Sequence, residues 1–204
     1  MQVTPTVKLI GAAAVGQYTY NNNPQLYIQS ETFTDIRSDF GTAYIKDYKL
    51  SGTPQRAYSF GFEYRDPKFW WISANANLLS NNYLDISPLL RTNNFYIDSD
   101  GLPFAEATQS EIDQLLKQER FDEAFLVNVV GGKSWRLKNN YYFGFMASVN
   151  NILGELYKSG GYEQSRNANF REYKLDKELQ YPTFGPKYYY GNDTSYFFNV
   201  YLRF

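Results

Sequence analysis

Cysteine and histidine are absent from all 204 residues. Their absence removes disulfides, thiolate nucleophiles, Cys or His metal sites, Ser-His-Asp triads and imidazole proton shuttles. A chain without thiols is also indifferent to oxidant, so the redox compartment stays open. Charge of one sign is scarce too: 20 Lys and Arg against 21 Asp and Glu leave −1, and no basic field exists to hold a nucleic-acid backbone. No run approaches the roughly 18 consecutive apolar residues of a spanning helix. The start, Met-Gln-Val-Thr-Pro-Thr-Val-Lys, lacks the apolar segment of a secretory leader. Transmembrane β-strands survive these exclusions, because about 9 to 11 residues with alternate positions apolar suffice and average hydropathy can be low. Here the mean hydropathy is −0.53.

What the chain has in quantity is aromatic side chains: 16 Phe, 3 Trp and 20 Tyr, 19% of the residues. Their spacing is informative. From Ser195 onward Tyr196, Phe198, Val200, Leu202 and Phe204 alternate with Ser195, Asn199 and Arg203, the period of a strand with one apolar face. Tyr58, Phe60, Phe62 and Tyr64 alternate with Ser59, Gly61, Glu63 and Arg65. Glu63 is costly in lipid, so the aromatic face is the outer one. Beyond Asp66-Pro67-Lys68, the residues Trp70, Ile72, Ala74, Ala76 and Leu78 oppose Ser73, Asn75 and Asn77, which predicts a hairpin. A second hairpin is predicted around Lys138-Asn139-Asn140, with Phe125, Val127, Val129, Trp135 and Leu137 in one strand and Tyr141, Phe143, Phe145, Ala147 and Val149 in the other. Lys133 breaks the first pattern; either its ammonium snorkels or a bulge at Gly131-Gly132 re-aims it. In a first strand at 7 to 20 the apolar side is read as Ile10, Ala12, Ala14, Tyr18 and Tyr20.

The expectation is thus an all-β chain of one domain, with six long strands near 7–20, 55–65, 69–79, 125–137, 141–151 and 195–204 and a further extended segment at 44–50. Short turns at 66–68 and 137–140 contrast with connections at about 21–43, 80–124 and 152–194, far above the usual length of about 4 to 6 residues. Short and long connections at opposite ends define an antiparallel transmembrane β-barrel segment with short periplasmic turns and long extracellular loops. Thr108 and Glu111 form a capping box ahead of Ile112, Leu115 and Leu116, predicting one short loop helix at about 109 to 119. Tyr58, Tyr64, Trp70, Trp135, Tyr141 and Tyr196 fall at strand ends, where amphipathic rings meet headgroups. A soluble β-sandwich with an aromatic core alternates in the same way and is the alternative architecture.

Most motifs that suggest chemistry fail. Gly132-Lys133-Ser134 lacks the upstream glycine and following helix of a phosphate loop. Asp98-Ser99-Asp100-Gly101 lacks the closing Glu of a calcium loop and reads as a turn. Asn192-Asp193-Thr194 is given no role. Arg166, Arg171, Lys174 and Lys177 among Glu163, Glu172, Asp176 and Glu178 read as a solvated mixed-charge loop. No acid and base pair stands out, and neither an enzyme nor a cofactor is expected. Phe95, Tyr96, Tyr188, Tyr189 and Tyr190 are the candidate ligand-facing aromatics, with packing or a headgroup belt as the bland alternative.

The segments GTPQRAYSFGFEYRDPKFWW (52–71), YLDISPLLRT (83–92), VGGKSWRL (130–137), SVNNILGELYKSGGYEQSRNANF (148–170) and TSYFFNVYLRF (194–204) resemble the C-terminal barrel of TonB-dependent outer-membrane receptors of Bacteroidota. That resemblance implies a plugged barrel of about 22 strands, of which these would be the last six. It implies import of a scarce nutrient (siderophore, haem, cobalamin, glycan or peptide) with energy from the TonB complex acting through a plug. It also implies that Phe204 is read by the barrel-assembly machinery. The sequence has no TonB-contacting box, plug or earlier strands, so it looks like a C-terminal fragment whose partners are outer-membrane lipids, the plug and the remaining strands. The membrane-facing set is Tyr58, Phe60, Phe62, Tyr64, Trp70, Ile72, Trp135, Phe143, Phe145, Tyr196, Phe198, Val200 and Leu202. A small self-contained barrel with a structural or adhesion role, using 42–50 and part of 152–194 as extra strands, is the second hypothesis. An outer-membrane enzyme and a soluble aromatic-platform binding domain rank below it.

Overall fold

The computed structural model describes residues 1–30, 33–138, 141–164 and 168–204. Strand makes up 46% of it and helix 13%, so the all-β expectation stands. Asn139 and Asn140 of the second turn and Arg166 of the charged segment lie outside the described residues.

One antiparallel sheet organises the chain. It contains β1 (Val7–Val15), β4 (Arg56–Arg65), β5 (Trp70–Ser80), β6 (Ala124–Arg136), β7 (Tyr142–Asn150) and β10 (Ser195–Arg203), side by side in that order. These strands are 9, 10, 11, 13, 9 and 9 residues long, the length that crosses a bilayer at a tilt. β2 (Gln25–Ser30) with β3 (Phe33–Thr42), and β8 (Lys158–Tyr162) with β9 (Lys187–Tyr190), form separate two-stranded ribbons. The turns at 66–69 and 137–141 sit at one end of the main sheet, and the connections 16–55, 81–123 and 151–194 all leave from the other.

The register settles the faces. Tyr58, Phe60, Phe62 and Tyr64 stand beside Leu78, Ala76, Ala74 and Ile72; Ala74, Ala76 and Leu78 stand beside Val129, Val127 and Phe125. Trp135 is beside Phe143, and Phe143, Phe145, Ala147 and Val149 are beside Leu202, Val200, Phe198 and Tyr196. The alternating apolar residues of five strands therefore share one face. Registration through Gly131 and Gly132 is unbroken with both neighbours, so no bulge re-aims Lys133. Its ammonium instead bends to the turn end and donates to the Lys68 carbonyl at 2.6 Å, the snorkelling alternative.

Several expectations need correction. β1 pairs Leu9 with Phe62 and Ile10 with Gly61, so Ile10, Ala12 and Ala14 lie on the polar face. Small residues on both sides of this strand left its faces nearly indistinguishable in the sequence. β1 stops at Val15; one more bond in the same register follows, Gly16 N–H to Gln55 O at 2.8 Å, and the chain then leaves the sheet for a short pairing of Thr19 with Lys49. Residues 44–50 are not a strand but a bend with Asp47 at φ 69°. The 21–43 and 152–194 connections carry the two ribbons, and the second also carries an unforeseen helix. The main sheet is open, as a six-strand segment would be, and is not closed into a barrel. Residues 1–3 fold back on the outer edge of β1, with Leu9 N–H donating to Met1 O at 2.9 Å; β10 has no neighbour on its outer edge among the described residues.

The hydrophobic core lies outside the sheet. Leu90, Phe95, Phe104, Leu116, Ala168, Phe170 and Tyr173 form one buried cluster, and Ala43, Ile45 and Ile86 a smaller one. All come from the long connections, which pack into a cap at one end of the sheet. Helices α1 (Gln109–Leu115) and α2 (Phe170–Lys177) frame it. Thr108 Oγ1 accepts from Glu111 N–H at 3.3 Å, as the capping box requires. Asn169 and Glu172 form a reciprocal capping box on α2.

Candidate functional site

Two surfaces are built for contact, and they are built differently. The apolar sheet face is uncovered. Phe60 is 59% exposed, Phe198 64% and Leu202 59%, and among the described residues no second layer lies on them. A soluble sandwich would cover such a face with another sheet. Aromatic rings edge it at both ends: Tyr64 and Trp70, 4.8 Å apart, and Trp135, stacked at 5.9 Å on Phe143, lie near the turns. Tyr58, Phe125 and Tyr196 lie at the cap ends of their strands. Along β4, Tyr58 and Tyr64 are six residues apart, about 20 Å at ~3.3 Å per residue, close to the ~25 Å apolar band of an outer-membrane barrel. The other face carries Ser59, Ser73, Asn75, Asn128 and Asn150 around a groove of about 340 Å³.

At the centre of the cap is a buried ion pair that local sequence gave no reason to join. Arg91 ends a single 3-10 turn (Pro88–Arg91), and its side chain is 2% exposed against 7% for Glu163. Nη1 donates to Glu163 Oε2 at 2.5 Å and Nη2 to Oε1 at 2.9 Å. The same guanidinium donates to Ser87 O at 3.0 Å and Leu116 O at 2.9 Å. Ser87 N–H donates to Glu163 Oε2 at 2.9 Å. Nε has no oxygen acceptor, and the Tyr48 ring face, 4.5 Å from Cζ, supplies the remaining electrostatic contact. Burial opposes the charge on Arg91, and the hydrogen bond and charge of Glu163 outweigh it, so its pKa moves up. Three connections thus meet at one two-pronged pair. Removing one partner of such a pair typically costs about 3–5 kcal/mol.

Among its described residues the charged segment is only in part a solvated face: Arg171, Glu172, Lys177 and Glu178 are exposed, but the Glu163 side chain and Asp176 are buried. Glu163 is buried on Arg91; Asp176, 6% exposed, accepts from Thr183 N–H at 2.7 Å and Phe184 N–H at 2.8 Å. Arg171 pairs with Glu106 at 2.6 Å and Lys174 with Glu111 at 2.9 Å, tying α2 to the segment around α1. Lys177, exposed along its stem, donates to Leu115 O at 2.6 Å, and partial desolvation of the ammonium lowers its pKa. Burial and the Glu163 charge push the Tyr173 phenol up to about 12.

The structure separates the expected ligand aromatics. Phe95 is 2% exposed and packs edge-on against Phe170 at 6.2 Å and Tyr173 at 6.0 Å, which leaves a ligand no surface on it. Its role is packing. Tyr188 is half-buried; its hydroxyl donates to Glu119 at 2.6 Å, with the Lys158 ammonium 3.7 Å from its ring centre. Burial, then the Glu119 hydrogen bond, raise its pKa. Tyr189 and Tyr190, 58% and 54% exposed, stay available on β9. Tyr96 borders a groove of about 430 Å³ with Tyr44, Tyr48, Gln109, Ile112 and Asp113. Tyr44 and Tyr48 were not anticipated, because nothing in 44–50 marks them as paired with a segment fifty residues on. Gly132-Lys133-Ser134 lies within β6, and Asp98 Oδ1 accepts the N–H groups of Asp100 and Leu102, both at 2.9 Å, as a turn does. Among the described residues no cluster of acidic side chains is placed to hold a metal, and no helix is long and apolar enough to cross a membrane.

Fold and surfaces together define a class: an antiparallel β-sheet protein with an uncovered apolar face and a separately cored cap at one end. No protein-family model, no curated protein and no solved structure matches the chain.

Proposed function

We propose that this chain is a segment of an outer-membrane β-barrel, with the apolar sheet face against lipid and the cap on the cell exterior. In this reading it belongs to a ligand-gated receptor that imports a scarce nutrient with TonB-derived energy. The observation that carries the membrane part is the uncovered face: large apolar side chains on five strands of spanning length, with aromatic rings near both ends. Open edges support the barrel part, because hydrocarbon does not tolerate unpaired strand edges, and further strands must complete the sheet. A self-contained eight-strand barrel has less support, since β2–β3 and β8–β9 pair within themselves instead of extending the sheet. The cap supports a receptor role: it presents the Tyr44–Tyr48–Tyr96 groove and exposed Tyr189 and Tyr190 on a cored base, the arrangement of binding loops on a rigid scaffold.

The test compares uptake of labelled siderophore, haem, cobalamin, oligosaccharide and peptide by host cells with and without the protein. Loss of uptake of one ligand, dependent on the proton-motive force and reduced by Tyr189→Ser with Tyr190→Ser, is expected. Unchanged uptake of all of them would overturn the receptor reading while leaving the membrane reading to its own test.

A further inference from the structure

We infer that Lys133, with Trp70 and Trp135 beside it on the apolar sheet face, forms a headgroup site for an anionic glycerophospholipid. The inference rests on the membrane reading of that face and deepens it to a particular lipid. It starts from a charge in an apolar surface. Lys133 stands beside Trp70 and Phe145 in the register, and both are outward residues, so its side chain leaves the sheet on the apolar side. Along the outward positions of the six strands only one other charge occurs, Arg56 at the cap end, and no carboxylate. A charge on a lipid-facing surface is costly away from the headgroups and marks a function where it is kept.

The ammonium is held at the rim of the face with donors to spare. Nζ donates to Lys68 O at 2.6 Å and lies 5.9 Å from the centre of the Trp135 ring. An ammonium has three donors, and among the described residues no carboxylate pairs with this one. Asp66, the acid of the adjoining turn, is spent locally: its Oδ1 accepts from Lys68 N–H at 2.7 Å and its Oδ2 from the Tyr64 hydroxyl at 3.0 Å. Lys68 brings a second ammonium to the same turn, so Lys133, Lys68 and Asp66 together leave a positive excess. Trp70 and Trp135 are both exposed, and indole rings favour the headgroup level.

Chemistry selects the partner. The unmet donors call for a phosphate oxygen in a charge-assisted hydrogen bond. The apolar surroundings call for acyl chains on the same molecule. Past Lys133 the next outward residue of β6 is Gly131, flanked by Ile72 and Ala147 with Phe198 beyond, low ground on which a chain can lie. Free phosphate would leave the rings uncovered. A zwitterionic headgroup brings its own cation to a site that is already positive, whereas phosphatidylglycerol brings the anion alone.

The experiment uses the protein drawn from its native envelope in non-ionic detergent, titrated with phosphatidylglycerol, with phosphatidylcholine of the same chains and with glycerol phosphate, and native mass spectrometry counts the bound molecules. Phosphatidylglycerol should bind in preference to phosphatidylcholine, more weakly as salt rises. K133Q should weaken phosphatidylglycerol binding about tenfold and leave phosphatidylcholine unchanged, and K133R should keep the preference. Equal phosphatidylglycerol binding by wild type and K133Q would overturn the proposal, and so would equal binding of the two headgroups by wild type; the membrane reading survives both results. Displacement of phosphatidylglycerol by an equal concentration of glycerol phosphate would also overturn it, making the site one for free phosphate esters. Failure of the membrane reading looks different: neither phospholipid binds, a spin label at 60 or 198 meets a water-soluble quencher, and the headgroup site falls with it.

Discussion

Phe60 and Phe95 show how the same side chain is used in opposite ways within one molecule. Phe60, on β4, is 59% exposed and points away from everything else in the chain; Phe95, in the cap, is 2% exposed between Phe170 and Tyr173. The cap obeys the rule of water-soluble domains, apolar inside and ion pairs closing it. The sheet inverts that rule, with Asn and Ser on the sheltered side and rings outside. A single solvent does not rationalise both. Water explains the cap through the burial of apolar area; on the proposed membrane reading, hydrocarbon would account for the sheet, with backbone groups satisfied strand to strand and apolar side chains facing outward.

The sharpest way to break this comparison is in the cap. Glu163→Ala leaves the Arg91 guanidinium buried without its carboxylate, and Phe170→Ala opens a void beside Phe95 and Phe104. Each should destabilise the cap by about 3–5 kcal/mol. Limited proteolysis should then cut within 81–123 and 151–194 while the heat-modifiable mobility of the assembled barrel persists. Concerted loss of both would show that cap and sheet are one cooperative unit. Next in size are charges on the sheet: Phe60→Lys, Ile72→Lys or Phe198→Lys should each cost about 2–4 kcal/mol near the membrane midplane. Ser59→Lys or Asn75→Lys, on the other face, should be tolerated, as denaturant-dependent refolding into bilayers would show. A smaller effect is expected at the start of α2, where Asn169→Ala removes the cap of Glu172 N–H and should cost the cap about 1 kcal/mol, visible as faster amide exchange in 170–177.

Titration sharpens the contrast further. The Tyr173 phenol is raised from 10.0 to about 12 by burial, so between those values the folded cap holds a proton that the unfolded chain has lost. Stability is therefore full below pH 10 and falls as pH rises toward about 12. Protease sensitivity of the cap should climb across that window, with absorbance at the phenolate band rising in step, and Tyr173→Phe should flatten the tyrosine-dependent part.

Which parts were readable in the sequence follows from the same division. β4, β5, β6, β7 and β10 were legible to within a residue or two because one face is uniformly large and apolar, which imposes a period of two. β1 was legible as a strand but not by face, since Gly11, Ala12, Ala13 and Ala14 offer no contrast. The cap was largely illegible. Leu90, Phe95, Phe104 and Phe170 come from irregular segments with no period, and Arg91 and Glu163, 72 residues apart, have no local signature. Helix α2 did carry one, Asn169 three residues ahead of Glu172, but its buried stripe is Phe170, Tyr173 and the charged Asp176, too short an apolar run to register as a helical period.

Lipid contact on the sheet face is the central claim, and a chain without cysteine lets it be read at single positions. Spin labels on single cysteines at 60, 72 and 198, and on the opposite face at 75, 148 and 199, would be compared in the assembled protein in its native cell envelope. The first set should relax with dissolved oxygen and ignore a water-soluble nickel chelate, and the second should do the reverse. Equal response of both sets to the chelate would contradict the account, and the exposed aromatic face would then need a protein partner in place of lipid.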